Sequence, residues 1–234
     1  VDWSRFSAAV IRSTWDYHQR LDQFLDWAER VAQLTRLVNP VDLIRSKVDK
    51  GYLFDLAERG VPVVPTRVAA DADDVAALRA GGDLDGRVVV KAAIGAGSNG
   101  AARHVDDPDG AEQHARSLLS GGRVVVQPYV DGVDDRGETG LVILGGEFSH
   151  AFRKGAILSA DRAWADDLYV VEDISARQAT EDELAVGRQV AKLFPEAAYL
   201  RVDLLPGRDG PLVSEVEAIE PSLFLHVADC AAER

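Results

Sequence analysis

The sequence predicts an α+β protein with largely antiparallel sheets. Three observations point there. Strand-like apolar runs and helix-spaced segments mix without strict alternation. Gly145-Gly146 and the Gly207–Gly210 stretch each join two strand candidates, as hairpin turns do. The length, 234 residues, suits one compact domain or two small ones sharing an interface.

Ala8 to Ile11 reads as a strand running into the polar cluster Arg12-Ser13-Thr14-Trp15-Asp16-Tyr17. Leu21, Phe24, Leu25, Ala28, Val31, Ala32 and Leu34 then fall at helical spacing. Asn39-Pro40 is expected to close that helix, because the residue before a proline avoids the helical region. A subdomain boundary is placed there, dividing 1–38 from 39–234. A second helix is expected from Lys47 to Glu58, stopped by Gly60. Pro62 and Pro65 hold Val61 to Thr66 extended, and Ala70 to Ala80 reads as a short helix. The β-branched run Val88-Val89-Val90 reads as a buried strand feeding a glycine-rich loop, Gly95 to Gly100. Pro108 to Leu119 is helical, with proline at a tolerated early position. Val124 to Gln127, Leu141 to Leu144, Glu147 to Arg153, Leu168 to Ile174, Tyr199 to Leu205 and Leu212 to Ile219 read as strands, and Asp131 to Asp135 as a loop. Thr180 with Glu183 three residues later is a capping box opening a helix to Phe194.

Composition excludes several classes. At 47% hydrophobic and 28% charged residues the chain is globular rather than disordered. A net charge of −13 argues against a general nucleic-acid surface, and no apolar run approaches the ~20 residues of a membrane helix. A single cysteine, Cys230, excludes an internal disulfide and points to a reducing, cytoplasmic setting. The chain has no methionine and opens at Val1-Asp2-Trp3 without a charged-then-apolar leader. The expectation is that Val1 is not the natural start and that methionines or whole segments are missing from the sequence.

Three constellations carry chemistry. In the first, the strand ending in Lys91 delivers an ammonium beside the Gly95–Gly100 loop, whose backbone can fold over an anion. A plain turn with a surface lysine is the other reading. It is neither a Walker loop nor a dinucleotide fingerprint. In the second, Val124-Val125-Val126-Gln127-Pro128-Tyr129-Val130 offers an amide, backbone groups and apolar faces, the mixture an adenine ring needs. An ordinary strand end has the same composition. In the third, Arg201 and Asp203 share one strand face, as do Glu215 and Glu217 on the next strand. If Gly207 to Pro211 is a five-residue loop, Leu205 faces Val213 and Asp203 lies opposite Glu215. Three carboxylates so placed repel without a cation, and Mg²⁺ with phosphate oxygens suits them. A four-residue loop would shift the register by one and part them.

Taken in order, the lysine helix, "VPVVPT", "VVVKAAIGAGSNGA", "VVVQPYV", "GETGLVILGGEFSHAFRKGA", "YLRVDLL" and "LVSEVEAIEPSLFL" resemble the ATP-grasp superfamily, over Asn39 to the end. The opening "IRSTWDYHQRLDQFLDW" resembles the tail of the pre-grasp substrate subdomain of glutathione-synthetase-like members. Among these, the likeness is to the O-ureido-serine cyclo-ligase group of cycloserine biosynthesis. The resemblance implies two α+β subdomains gripping ATP, preceded by a partial α/β pre-grasp subdomain over 1–38.

It also implies roles. Lys50 and Lys91 would hold the ATP phosphates, and the loop with Gly95, Gly97, Ser98 and Gly100 would close over them. Gln127, Tyr129 and Val130 would form the adenine hinge, with Glu138 near the ribose. Arg153 or Lys154 would reach the γ-phosphate, and Arg201 would stabilise the transferring phosphoryl group. Asp203, Glu215 and Glu217 would bind one or two Mg²⁺ ions, with Mn²⁺ as an alternative. Three departures stand out. The last metal ligand is usually Asn where Glu217 stands, and Thr139-Gly140 replaces an arginine that often follows the acidic residue. After Glu217 the small, glycine-containing ending of many members is replaced by Glu220, Pro221 and Ser222, and Glu220 and Ser222 are read as substrate-facing. Apart from the resemblance, Arg12, Trp15 and Tyr17 follow a strand end where a substrate carboxylate could be gripped, with packing as the other reading of the two aromatics.

The expected activity is ATP-dependent ligation of a small amino-acid-like carboxylate to an amine through an acyl phosphate, within one molecule or between two. A non-catalytic ATP-binding regulatory module is the competing expectation. Partners are small carboxylates and amines, not nucleic acid or membrane, and a homodimer is the oligomer to test. The five histidines show no metal-ligand spacing and read as partly exposed structural residues.

Overall fold

In the computed structural model of the protein, residues 1–96, 100–156 and 173–227 are described. The expected loop residues Gly97 and Ser98, the expected strand residues 168–172 and Cys230 lie outside them.

The N-terminal piece pairs strand β1 (Ala8–Val10) in parallel with β2 (Arg36–Val38), with helix α1 (Leu21–Leu34) between them. α1 turns Phe24, Ala28 and Val31 inward, at helical spacing. Thr35, not Asn39-Pro40, ends this helix: its backbone is extended and its hydroxyl donates to the Phe6 carbonyl at 2.6 Å. The sequence hid β2 because three residues carry no periodicity.

Asn39 fastens this piece to the rest. Its φ of +59° is tolerated by Asn better than by most residues. Its Nδ2 donates to the carbonyls of Tyr199 (2.9 Å) and Ala218 (2.7 Å), and its Oδ1 accepts from the Ala198 amide at 2.8 Å.

The helix expected over Lys47 to Glu58 is two helices, α2 (Val41–Val48) and α3 (Tyr52–Glu58). The break comes from tertiary contact. The Lys50 amide donates to Ala93 O at 2.9 Å, and Asp49 Oδ1 accepts from the Gly51 amide at 2.8 Å. Lys50 therefore sits in a turn rather than on a helix.

β3 (Arg67–Ala69), α4 (Ala72–Gly81), β4 (Arg87–Ala92), β5 (Ala102–Val105), α5 (Pro108–Leu118) and β6 (Val124–Pro128) follow. Their strands form an antiparallel sheet in the order β3-β6-β4-β5. Val88, Val90, Val124 and Val126 pack against Val75 and Leu78 of α4 and Ala111 and Ala115 of α5. Period-two alternation then turns Val89, Lys91 and Gln127 to the other face.

α6 (Gly132–Arg136) occupies the stretch read as a loop. The second sheet comprises β7 (Glu138–Leu144), β8 (Glu147–Lys154), β9 (Ile174–Arg177), β10 (Tyr199–Pro206) and β11 (Pro211–Glu217), with α7 (Glu181–Leu193) inserted before β10. Its order is β11-β10-β7-β8-β9, antiparallel throughout. The Thr180–Glu183 capping box opens α7. Leu200, Val202 and Leu204 enter the core with Val186 and Val190 of α7, leaving Arg201 and Asp203 on the opposite face.

The β10–β11 hairpin corrects one expectation and keeps another. Pro206 pairs with Pro211 and Leu205 with Leu212, so the loop has four residues. Alone, that loop would part Asp203 from Glu215. A β-bulge at Ser214 inserts one extra residue, and Asp203 pairs with Glu215 after all. Ser214 Oγ donates to the Asp203 carbonyl at 3.1 Å across the bulge.

Candidate active site

Both sheets, the α2–α3 turn and the N-terminal segment line one cavity of about 230 Å³. Strand alternation supplies Lys91 from β4, Gln127 from β6, Glu138 from β7, Lys154 from β8, Arg201 from β10 and Glu215 and Glu217 from β11.

A buried ion-pair network forms its floor. Asp203, 1% exposed, lies beneath the lining. Arg201 clasps it with two bonds, Nε–Oδ1 at 2.9 Å and Nη2–Oδ2 at 2.8 Å, and Lys154 Nζ reaches Oδ2 at 2.8 Å. Burial alone would raise the Asp203 pKa, but Arg201 and Lys154 outweigh it and hold the carboxyl well below its usual range. Burial opposes the Arg201 charge too, and Asp203 and Glu217 more than restore it. Arg201 also pairs with Glu217, and Lys154 with Glu138. These two glutamates share cations already committed to Asp203. Burial therefore dominates and pushes each pKa up to about 7.

The lysines expected at the phosphates are both present. Lys50 Nζ lies 3.1 Å from Glu215 Oε1 and donates to the Gly95 carbonyl at 3.0 Å. Burial works to raise the Glu215 pKa, but Lys50 and Lys91 outweigh it and lower it. Lys91 has no ion-pair partner within 4 Å among the described residues, and burial pulls its pKa down to about 8. A lysine so placed gains strongly from an anion.

Gln127, Tyr129 and Val130 line the cavity with Pro128 and Val89. Gln127 Nε2 donates to Thr66 Oγ1 at 2.9 Å, which fixes the amide. The Arg103 guanidinium lies 3.7 Å over the Tyr129 ring, and the Tyr129 hydroxyl donates to Asp134. Thr66 and Arg103 were not singled out by sequence, since each acts through a neighbour.

Among the residues expected to face substrate, Trp15, Glu220 and Ser222 line the cavity and Arg12 is exposed outside it. The Ser222 carbonyl accepts from Arg201 Nη1 at 3.2 Å. Buried Tyr17 joins this end.

Arg153 does not reach the cavity: its Nε donates to the Arg136 carbonyl at 3.0 Å and its Nη1 lies 3.4 Å from Asp173. Strand alternation gives the inward position to Lys154, the other candidate. Gly95 lines the cavity and Gly100, at φ +68°, does not. The missing arginine after Glu138 has a steric reason. A Cβ at Gly140 would meet the Phe152 ring at 2.2 Å. The cation arrives instead from β8, where Lys154 pairs in register with Glu138. His114 and His150 are buried, against the expectation for the histidines.

Asp203, Glu215 and Glu217 share one face of the hairpin. Among the described residues, however, no three His, Cys, Asp or Glu groups converge closely enough to hold a metal ion, because lysine and arginine occupy their oxygens. The donor set still fits a hard divalent cation. Five carboxylates, Glu138, Asp203, Glu215, Glu217 and Glu220, stand with the cations Lys50, Lys91, Lys154 and Arg201. Three of those carboxyls have raised pKa values. A triphosphate would add further negative charge that these side chains alone do not balance.

A family model for the N-terminal domain of D-cycloserine synthetase DcsG matches residues 1–39. Cycloserine biosynthesis protein DcsG of Streptomyces lavendulae is 42% identical over 250 aligned positions, spanning 100% of this chain and 82% of that protein. The crystal structure of D-cycloserine synthetase DcsG superposes with a TM-score of 0.87 at 40% identity, covering 99% of this chain and 82% of that one. A RimK domain ATP-grasp protein of Sphaerobacter thermophilus shares the fold at 20% identity, with a TM-score of 0.67 over 94% of this chain and 76% of its own. The chain belongs to the DcsG family of ATP-grasp ligases, and its fold and its enzyme class, ATP-dependent ligase, follow from that membership.

Proposed function

We propose that the protein is an intramolecular carboxylate–amine ligase that activates an amino-acid-like acid with ATP and closes it into a ring. The observation that carries this reading is the set of cations Lys50, Lys91, Lys154 and Arg201 gathered at one cavity, in a chain 42% identical to a cycloserine biosynthesis protein.

The chemistry has two steps. A substrate carboxylate oxygen bonds to the γ-phosphorus of ATP as the bond to the β-phosphate bridging oxygen breaks, giving an acyl phosphate and ADP. A nitrogen of the same molecule then attacks the acyl carbon, phosphate leaves, and the nitrogen loses a proton. In the first step both reactants are anions, so the barrier is largely electrostatic.

Lys50 and Lys91 bind phosphate oxygens, and Lys91, with no ion-pair partner among the described residues, is free to take that role. Arg201 and Lys154 turn from Asp203 towards the transferring phosphoryl group. Asp203, Glu215 and Glu217 would hold one or two Mg²⁺ or Mn²⁺ ions, which supply charge neutralisation at the phosphate oxygens when bound. The Val89, Pro128, Tyr129 and Val130 wall takes the adenine ring, with Gln127 held behind it and Glu138 towards the ribose. The Gly95–Gly100 loop keeps water from the acyl phosphate. Residues 1–38 act as the substrate-side subdomain, bringing Trp15 and Tyr17 near the acid. The setting is cytoplasmic, and a homodimer is the assembly to test.

ADP formation across a panel of amino acids and their ureido derivatives tests this. The expected result is Mg²⁺-dependent ADP release with one acid and a product lighter than that acid by one water. Stabilisation by ATP with no ADP formed from any acid would instead make the chain a nucleotide-binding module.

A further inference from the structure

Among the described residues, one carboxylate lining the cavity is left without a counter-charge. Among the other lining carboxylates, Glu138 meets Lys154, Glu215 meets Lys50 and Glu217 meets Arg201. Glu220, 7% exposed, makes no hydrogen bond or ion pair with any described residue. It lines the cavity, three residues past the end of β11.

Among the described residues its surroundings offer it no partner. Lys50 and Arg201, the cations whose fields reach it, are already paired. Glu217 and Glu215 repel it. The hydroxyl of neighbouring Tyr199 faces the carbonyls of Ile11 (3.2 Å) and Ile219 (3.0 Å). A carboxylate withdrawn from water without a partner is costly, and a bound cation relieves that cost.

We propose that Glu220 is the counter-charge for the protonated amino group of the acid substrate, so that losing it costs the free amine more than its N-acylated analogue. This rests on the ligase reading and assigns the side chain that reads the amine. An ammonium supplies three donors and no acceptor, matching an acceptor-only carboxylate. The substrate then spans a charge gradient. Its amino end lies at Glu220 beside Trp15 and Tyr17, and its carboxylate faces Arg201 and Lys50, where phosphoryl transfer occurs. In the empty site burial, reinforced by Glu217, pushes the Glu220 pKa up to about 8. An arriving ammonium displaces that proton and fixes the carboxylate form.

The test compares O-ureido-serine with its N-acetyl derivative on the full chain, as wild type, Glu220→Gln and Glu220→Asp. Readouts are ADP formation, and calorimetric binding of each acid with Mg²⁺ and a non-hydrolysable ATP analogue present. The wild type should prefer the free amine. Glu220→Gln should lower kcat/KM for the free amine roughly 10–100-fold, mainly through KM. It should leave the acetylated acid and the nucleotide affinity unchanged, and Glu220→Asp should restore part of the preference. A Glu220→Gln variant that melts no lower than wild type yet keeps the wild-type preference overturns the proposal. So does equal loss for both acids, or binding of neither. Amine-dependent binding that disappears in Glu220→Gln, with no ADP formed from either acid, would sink the ligase reading alone and leave the assignment of Glu220 standing.

Discussion

The two sheets that meet at the cavity use charge in opposite ways. Among the described residues, the four-stranded sheet gives the cavity one charged side chain, Lys91, with no partner. The five-stranded sheet gives it Glu138, Lys154, Arg201 and Glu217, cross-linked through Asp203, and Glu215, paired with Lys50. A lone cation partly withdrawn from water weakens the empty protein and rewards an anionic ligand. A saturated network stabilises the empty site, and its cations must change partners to serve a ligand.

That contrast predicts different outcomes on the two sides. Asp203→Ala leaves Arg201 and Lys154 buried without their shared anion and should cost about 3–5 kcal/mol of stability, read by urea denaturation. A loss under ~1 kcal/mol would mean the network relaxes freely. Lys91→Ala should do the reverse. Its melting temperature should be no lower than wild type, while kcat for ADP formation falls on the order of 10²–10³-fold. Undiminished turnover would remove Lys91 from the phosphate site.

The pH dependence sharpens the comparison. Glu138 and Glu220 hold protons more tightly folded than unfolded, with pKa values raised to about 7 and about 8. Their contribution is full below the ordinary glutamate value of 4.5 and is lost as pH rises through 7 to 8. Asp203 has the opposite sign: its contribution is present above the ordinary aspartate value and lost as pH falls below it. The ligand-free melting temperature should therefore decline between pH 5 and 8, and Glu138→Gln should flatten the first part of that decline. The smallest effect belongs to the adenine wall. Arg103→Ala removes the cation over Tyr129 and should cost about 0.5–2 kcal/mol, seen as a modest fall in melting temperature.

How much of this was legible in the sequence depends on whether a feature is local. Alternation along "VVVK" and "YLRVD" put Lys91, Arg201 and Asp203 on the cavity faces of their strands, because one face of each strand is apolar. The Asp203–Glu215 pairing was legible only in outcome. The loop is four residues rather than five, and the compensating bulge at Ser214 leaves no local signature. Choosing between Arg153 and Lys154 required knowing that Glu138 faces the second of them across β7 and β8. Lys50 looked helical because it lies between two helical segments, and the break comes from its amide hydrogen bond to the Ala93 carbonyl and from Asp49 capping the Gly51 amide. Glu220 was legible as substrate-facing, but its lack of a partner among the described residues becomes visible only once the other lining carboxylates have been paired.

The clamp formed by Asn39 bears on engineering. One side-chain amide rivets the N-terminal piece to Ala198, Tyr199 and Ala218, at the root of the hairpin that carries the acidic groups. Grafts exchanging N-terminal pieces between relatives should therefore be spliced upstream of this asparagine. A chimera joined downstream of it, with any other residue at the rivet, would lose the alignment between acid-binding and nucleotide-binding halves even if both fold.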